Sequence, residues 1–222
     1  MLTKRLSEIL SHTKGTKTLA DVGCDHGFLG LEALKRGYAL RVIATDVSDK
    51  SLDKARRLFC DNGYSDLVEF RCGDGLSVLA YDEADTVVIS GMGGREIVKI
   101  LQNCDYKYRK LVLSPQSEQE LVRRYLVGHG YALNHDYVMR DNKFYWVIVA
   151  VEGEDDYSEE EYLFGRGNLS GKHPAFLEWL DVEIDRFEEV VNSTASDTVK
   201  ERFLKEIERF KNLKKHVLCG GI

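Results

Sequence analysis

The chain has 222 residues, of which 43% are hydrophobic, and this is enough for one main domain with an appendage. Its formal net charge of −6 argues against a protein that coats nucleic acid with its whole surface, but it is compatible with a local basic patch. The five cysteines are scattered without a Cys-x-x-Cys pair, so the sequence indicates neither a metal site nor a disulfide framework. No signal peptide or long apolar run is visible, and we expect a cytoplasmic protein without a membrane partner.

The first two thirds of the chain alternate short apolar runs with helical patterns. Residues 1–15 have the spacing of an amphipathic helix. Five predicted strands then alternate with helices, and two longer strands follow with only a turn at Asp141-Asn142 between them. The predicted strands are 18–22, 40–45, 68–72, 86–90, 110–113, 131–139 and 143–151. This order predicts right-handed crossovers and a mostly parallel sheet that ends in a β-hairpin.

The composition changes after residue 151. The acidic segment 152–161 is typical of a solvated linker or a helix start, and residues 163–170 are predicted to be irregular. Two long helical patterns follow, separated at 192–197, with apolar residues three and four positions apart. These residues are Leu177, Leu180, Ile184, Phe187 and Val191 in the first pattern, and Phe203, Ile207, Phe210, Leu213 and Val217 in the second. The spacing predicts an antiparallel helical hairpin with coiled-coil-like packing.

The two C-terminal helices differ in charge. The first is acidic, and the second is basic toward its end, with Lys211, Lys214 and Lys215 close together. Two interpretations are open at this point: the basic helix contacts phosphates, or it pairs with its acidic neighbour.

The turn after the first predicted strand is the most informative motif. It reads Asp21-Val22-Gly23-Cys24-Asp25-His26-Gly27 and precedes a helical pattern. Strand, glycine turn and helix together bring backbone N–H groups close to a bound ligand. The turn fits the acid-x-Gly-x-Gly-x-Gly motif of S-adenosylmethionine (SAM) methyltransferases, with Asp25 in place of the middle glycine. A carboxylate there would repel a pyrophosphate, whereas it suits the ammonium and sulfonium groups of SAM.

Acids and glycines also follow the next strands. Asp46 follows the second strand and suits ribose hydroxyls, and Asp74 follows the third and suits an adenine amino group. Because ligands of open α/β sheets bind at the carboxyl ends of the strands, we expect a nucleoside-type cofactor, SAM, at this edge. The predicted cofactor-binding residues are Asp21, Gly23, Asp25, His26, Gly27, Asp46, Val47, Gly73, Asp74, Gly75, Gly91, Met92 and Gly93.

Three of these motifs together resemble the bacterial tRNA (adenine(22)-N1)-methyltransferases. They are the turn at 21–27, Gly73-Asp74-Gly75 and Gly91-Met92-Gly93-Gly94. The resemblance covers nearly the whole chain and implies an α/β, Rossmann-like class I SAM-methyltransferase fold with a seven-stranded, mostly parallel sheet. It also implies a C-terminal antiparallel α-helical hairpin, with a methyltransferase domain at 1–153 and a helical, coiled-coil domain at 154–222.

The resemblance implies methyl transfer to ring nitrogen N1 of an adenine in tRNA. N1 has an in-plane lone pair, so the reaction needs no strong base. Asp25 is the candidate catalytic residue because a carboxylate stabilises the charge that the ring gains, and its alternative role is to hold the SAM amino group. For His26, the alternatives are orienting Asp25, contacting the base or capping the helix. The predicted substrate-binding residues are Arg95, Ser114, Pro115 and Gln116, although the family usually shows Gln-Pro-Asn after strand five.

Other functions compete with this one. A SAM enzyme for a small molecule or another RNA site would keep the cofactor residues, but the appended helical hairpin counts against a small substrate. An NAD-dependent oxidoreductase is disfavoured by Asp25 and by the final β-hairpin. A non-catalytic interaction protein is disfavoured by the acids at the strand ends. Arg123, Arg124 and Arg140 are candidates for phosphate contacts, with an ordinary surface position as the alternative.

Overall fold

The computed structural model describes residues 2–171 and 173–219. The strands within these residues are β1 (Thr16–Val22), β2 (Ala39–Asp46), β3 (Val68–Cys72), β4 (Thr86–Ser90), β5 (Lys110–Ser114), β6 (Tyr131–Arg140) and β7 (Phe144–Glu152). The helices are α1 (Lys4–Ser11), α2 (Phe28–Lys35), α3 (Asp49–Asp61), α4 (Gly94–Gln102), α5 (Gln119–Gly128), α6 (Glu159–Phe164), α7 (Arg166–Ser170), α8 (Pro174–Ser193) and α9 (Asp197–Cys219). Each strand lies within two residues of its predicted bounds.

The strands form one seven-stranded sheet in the order β3-β2-β1-β4-β5-β7-β6. β1 to β5 are parallel to one another, and β7 is antiparallel to both of its neighbours. β2 and β4 flank β1, so the chain reverses its direction of crossover there and leaves a crevice at the carboxyl ends of the strands. The predicted class I methyltransferase fold is confirmed.

The central strands are buried on both faces, which explains their continuous apolar runs. Leu111, Val112 and Leu113 of β5 have no exposed surface. Leu111 and Leu113 belong to an apolar cluster with α4 and α5, whereas Val112 faces the cluster that contains α1, α2 and α3. Parallel strands covered by helices on both sides have this pattern.

The segment predicted to be irregular, 163–170, is helical, and that prediction was wrong. A capping box starts α6, since the Ser158 hydroxyl accepts the Glu161 N–H and the Glu161 carboxylate accepts the Ser158 N–H. Gly165, with φ +83°, ends α6 and allows α7 to start in a new direction. The buried Asn168 then fixes α7 to β6, because its Oδ1 accepts the Val138 N–H at 3.0 Å. This buried amide, together with the buried side chains of Phe164 and Leu169, holds the segment against the sheet and the hairpin.

α8 and α9 form the predicted helical hairpin. Its apolar stripes pack together in one cluster that also includes Val138 and Trp146 of the sheet. Trp146 meets Trp179 of α8 edge-on, with ring centroids 5.4 Å apart. The hairpin therefore shares its core with the antiparallel end of the sheet.

The charges of the hairpin follow the pairing interpretation. Lys211 of α9 lies 2.8 Å from the Glu188 carboxylate of α8, and Lys214 pairs with Asp181. These cross-links run in the antiparallel sense. No helix in the described ranges is both long and apolar enough to span a bilayer.

Arg123 is neither a surface residue nor in a position to contact phosphates, so both predictions for it were wrong. Its side chain is fully buried, and its Nε lies 2.9 and 2.8 Å from the two oxygens of the equally buried Asp136. Its Nη1 donates to the Tyr162 carbonyl at 3.0 Å, and its guanidinium lies over the Trp146 ring. This network ties α5, β6 and the start of the helical region together.

Candidate active site

A cavity of about 440 Å³ opens at the carboxyl edge of the sheet. It is lined by the loops that follow β1, β2, β3, β4 and β5, together with α1 and parts of α2 and α4. Eleven of the thirteen predicted cofactor-binding residues line it, and Gly27 and Gly93 do not. The lining residues are Arg5, Leu6, Asp21, Val22, Gly23, Cys24, Asp25, His26, Phe28, Leu29, Thr45, Asp46, Val47, Gly73, Asp74, Gly75, Ser90, Gly91, Met92, Glu96, Ile100 and Gln116.

The glycine turn has a left-handed backbone at three positions. Gly23 has φ +70°, Asp25 has φ +49° and Gly27 has φ +73°. The middle position of the motif therefore keeps the conformation that glycine normally supplies, and aspartate is one of the few other residues that tolerates it. Asp25 therefore has a strained backbone conformation, and its position in the turn brings a carboxylate to the cavity.

Met92 closes one side of this turn. A Cβ atom on Gly23 would stand 2.2 Å from the Met92 Cε and would displace this flexible side chain, and the φ of +70° independently favours glycine at this position. The N–H groups of Gly23 and Cys24 both donate to the Thr45 carbonyl, at 2.8 and 2.9 Å. The turn is thus held from the β2 side and packed from the β4 side.

Asp46 organises the second strand end. Its Oδ2 accepts the Asp25 N–H at 3.0 Å, and its Oδ1 accepts the Ser48 N–H at 2.9 Å. Each carboxylate oxygen has a second lone pair, so Asp46 retains acceptor capacity for ligand hydroxyls. The same side chain therefore fixes the glycine turn and offers acceptors at the cavity.

Asp25 and His26 form a partly exposed pair at the cavity. His26 Nδ1 lies 2.7 Å from Asp25 Oδ2, and the imidazole stacks on Phe28 with ring centroids 5.8 Å apart. The N-cap residue of α2 is Gly27, so the capping role considered for His26 was wrong. The geometry fits the alternative in which His26 orients the Asp25 carboxylate.

Asp21 is the buried acid of the site. Its Oδ2 accepts the Gly30 N–H at 3.2 Å, and only 5% of the residue is exposed. Burial raises the pKa of Asp21 to about 7, and the nearby Asp46 carboxylate acts in the same direction. Asp21 therefore changes its charge near neutral pH.

This pKa makes the free energy of unfolding depend on pH. The folded state binds the Asp21 proton more tightly than the unfolded chain does, so stability is lost as the pH rises toward the folded-state pKa of about 7. An Asp21→Asn variant has no carboxyl group at this position, so its free energy of unfolding should lack the pH dependence that Asp21 causes. Between pH 5 and pH 7, the free energy of unfolding of the wild type should therefore fall by about 2 kcal/mol more than that of the variant. Urea titrations of the SAM-free proteins at both pH values measure the difference.

The control for this experiment is Asp66→Asn, which changes an exposed carboxylate outside the cavity lining. It should follow the wild-type pH dependence. If the free energies of unfolding of the wild type and of Asp21→Asn changed with pH in the same way, the raised pKa of Asp21 would be contradicted.

Cys24 is a packing residue of the turn. It is buried among the apolar residues under α1 and α2. Burial raises the pKa of its thiol, and the neighbouring Asp21 and Asp46 carboxylates add to the effect. The thiol stays protonated, which is unfavourable for a nucleophile.

The loops after β4 and β5 are joined into one unit. Gln116 donates its N–H to the Met92 carbonyl at 2.9 Å, and Gly94 donates to the Ser117 carbonyl at 2.9 Å. A Cβ atom on Gly94 would lie 2.5 Å from the Glu118 carbonyl oxygen, so only glycine permits this approach. As a result, the position of Gln116 at the cavity depends on the glycines of the neighbouring loop.

Of the predicted substrate-binding residues, only Gln116 lines the cavity. Ser114, the last residue of β5, and Pro115, which follows it, are both buried. The Arg95 side chain is 82% exposed and pairs with Glu118 at 2.5 Å on the outer side of the loops. Only one of these four residues is therefore at the cavity.

Sequence reasoning missed the contribution of α1. Arg5 and Leu6 line the cavity, and the Arg5 N–H donates to Asp141 Oδ2 of the β6–β7 turn at 3.1 Å. This contact spans 136 positions of the chain, so no local pattern could reveal it. Glu96, in contrast, follows the glycine loop by two residues and could have been added on its position alone.

Comparisons with known proteins support the assignment made from the motifs. A family model described as "Methyltransferase domain" matches residues 2–149. The tRNA (adenine(22)-N(1))-methyltransferase of Bacillus subtilis is 30% identical over 99% of this chain and 98% of its own length. The crystal structure of the B. subtilis m1A22 tRNA methyltransferase TrmK is 28% identical, covers 98% of each chain and has a TM-score of 0.82.

A second solved structure includes the cofactor. Sp1610 from Streptococcus pneumoniae, in complex with S-adenosyl-L-methionine, is 25% identical, covers 96% of this chain and all of that one, and has a TM-score of 0.87. The agreement extends over both the sheet and the helical hairpin. This chain therefore belongs to the family of the bacterial tRNA (adenine(22)-N1)-methyltransferases, and the prediction from its motifs is confirmed.

Proposed function

We propose that this protein transfers the methyl group of SAM to N1 of adenine 22 in tRNA. The observation that carries the proposal is the convergence of the turn at 21–27, Asp46, Asp74 and the glycine loop after β4 on one cavity. The chain that builds this cavity matches, from end to end, a B. subtilis enzyme named for this reaction. A cavity of about 440 Å³ also lies in the size range of cofactor sites.

The charges at the cavity fit SAM. The lining residues include five carboxylates, those of Asp21, Asp25, Asp46, Asp74 and Glu96, with Arg5 and His26 as the basic side chains. A ligand with an ammonium and a sulfonium gains from such a site, whereas a pyrophosphate would be repelled. Asp46 and Asp74 line the cavity, and we assign Asp46 to accept from the ribose hydroxyls and Asp74 to accept from the adenine amino group.

SAM supplies a methyl group on its sulfonium. The adenine N1 attacks with its own lone pair, so no side chain has to remove a proton before transfer. The protein's task is to position the two partners and to stabilise the positive charge that the adenine ring acquires. Asp25 provides a carboxylate for this purpose, and His26 holds that carboxylate in place.

The role of Asp25 leads to a prediction. An Asp25→Asn variant should have a kcat about 100-fold below the wild type, because the amide lacks the charge that stabilises the cationic ring. The rate should fall more than the affinity for tRNA. Single-turnover methylation measures the rate, and calorimetry measures SAM binding.

Asp53→Asn, an exposed carboxylate on α3, is the matched control and should keep the full rate. A selective loss of SAM affinity in Asp25→Asn would instead assign Asp25 to the SAM amino group. A variant with full rate and full affinity would remove Asp25 from both roles.

The reaction itself is tested with purified protein, methyl-labelled SAM and unmodified bacterial tRNA, followed by nucleoside mass spectrometry. We expect 1-methyladenosine that maps to position 22, and no product from a tRNA with guanosine at that position. Label in another nucleoside, or SAM binding without any transfer to tRNA, would contradict the proposal.

A further inference from the structure

A cluster of cations and aromatic rings lies beside the cavity. It consists of Arg5 of α1 and of Arg140, Lys143, Phe144 and Tyr145 around the β6–β7 turn, and we call it the tip surface. Phe144 and Tyr145 pack on opposite faces of the sheet, so the tip surface wraps around the end of the β6–β7 hairpin. Leu113 of β5 pairs with Ile148 of β7, so the turn extends beyond the end of β5 by about three residues, or roughly 10 Å. The tip surface therefore overhangs the carboxyl edge of the sheet, where the cavity opens.

The cations of the tip surface are held by aromatic rings. The Arg140 guanidinium lies 4.5 Å from the Phe144 ring centroid, and Arg5 and the Lys143 ammonium lie 5.1 and 5.7 Å from the Tyr145 ring centroid. None of these three cations forms an ion pair within the part of the chain that the structure describes. Cation–π contacts limit the freedom of a charge without neutralising it, so the surface remains available to an anion.

Arg5 joins the tip surface to the cavity. Its side chain lines the cavity, while its backbone N–H bonds to Asp141 in the turn. Its Nη1 is buried and has no hydrogen-bond partner among the described residues. A buried donor without a partner costs free energy, so an acceptor on a bound ligand would be favourable at this position.

The C-terminal hairpin lacks this character. α8 and α9 together carry ten acidic and eight basic side chains, and two lysines of α9 are engaged by α8. A polyanion therefore has less to gain at the hairpin than at the tip surface, in a protein whose net charge is −6.

We propose that the tip surface binds the tRNA backbone on either side of the target nucleotide. Arg140 and Lys143 contact phosphates outside the cavity, and Arg5 donates to the phosphate or ribose of the nucleotide that enters it. This inference rests on the proposed function, since it names the protein surface that receives the substrate of that reaction.

The test compares two double variants that each remove two positive charges. Arg140→Ser with Lys143→Ser alters the tip surface. Lys14→Ser with Lys17→Ser alters exposed lysines near the start of β1, at the opposite edge of the sheet. We expect the first variant to bind tRNA about 10-fold more weakly and to lower the slope of log Kd against log salt by about 1 to 2. SAM affinity should be unchanged, and the control should match the wild type.

Several outcomes would overturn the inference. If the wild type methylates position 22 while both double variants bind tRNA equally well, the tip surface does not receive the substrate and the proposed function still stands. If the wild type neither binds nor methylates tRNA, both proposals fail. An Arg5→Met variant should raise the KM for tRNA at an unchanged Kd for SAM, and a raised Kd for SAM instead would move Arg5 to the cofactor site.

Discussion

An Asp46→Ala variant should bind SAM at least about 100-fold more weakly than the wild-type protein. The substitution removes the acceptor that we propose for the ribose hydroxyls, and charge-assisted hydrogen bonds of this kind contribute about 1.5–3 kcal/mol each. It also leaves the N–H groups of Asp25 and Ser48 without the carboxylate that now accepts them. Both the ligand contact and the shape of the glycine turn are therefore lost together, and isothermal calorimetry with SAM measures the sum.

Asp49→Ala is the control for this effect. Asp49 is an exposed acid three residues further along the chain, in the first turn of α3, and it does not line the cavity. Its removal should leave SAM affinity near the wild-type value. Equal affinities for Asp46→Ala and the wild type would exclude Asp46 from the cofactor site.

An Arg123→Met variant should lose about 3–5 kcal/mol of its free energy of unfolding. The substitution leaves the Asp136 carboxylate buried without its cation and removes the donor to the Tyr162 carbonyl. For a chain of this length, such a loss lowers the Tm by about 10 °C. Thermal and urea unfolding followed by circular dichroism measure both quantities.

The neighbouring arginine provides the control. Arg124→Met removes a solvent-accessible guanidinium that pairs with Glu120 and Glu159, and exposed pairs of this kind contribute little. The double variant Arg123→Met with Asp136→Leu should recover most of the lost stability, because no charge then remains buried. If Arg123→Met were as stable as Arg124→Met, the buried pair would not hold α5 and β6 together.

The sheet and most of the cavity could be predicted because their signals are local. A short apolar run in the sequence indicates each strand. The acid or glycine that follows the run must lie at the carboxyl edge of a parallel sheet. The positions of Asp21, Asp46 and Asp74 follow from this rule alone. The left-handed backbone at Asp25 is also consistent with the motif, because Asp25 occupies the position of its middle glycine.

What could not be predicted depends on contacts between distant parts of the chain. Arg5 reaches the cavity because α1 docks on a turn 136 positions later. Arg123 resembles any helical surface arginine until Asp136 is known to lie opposite it inside the fold. Likewise, the sequence of residues 163–170 looks irregular. The contact between Asn168 and Val138 of β6 helps to hold this segment, and it cannot be recognised from the sequence of the segment alone.

The contact between Trp146 and Trp179 provides an intrinsic fluorescence probe of this protein. The chain has two tryptophans, and both lie where the helical hairpin packs against the sheet. Neither lines the cavity. Intrinsic tryptophan emission therefore reports on the docking of the hairpin and not on contacts inside the cavity. Trp146 lies two residues along β7 from Phe144 of the tip surface, so a change in emission on tRNA binding would indicate that the substrate has reached the antiparallel end of the sheet.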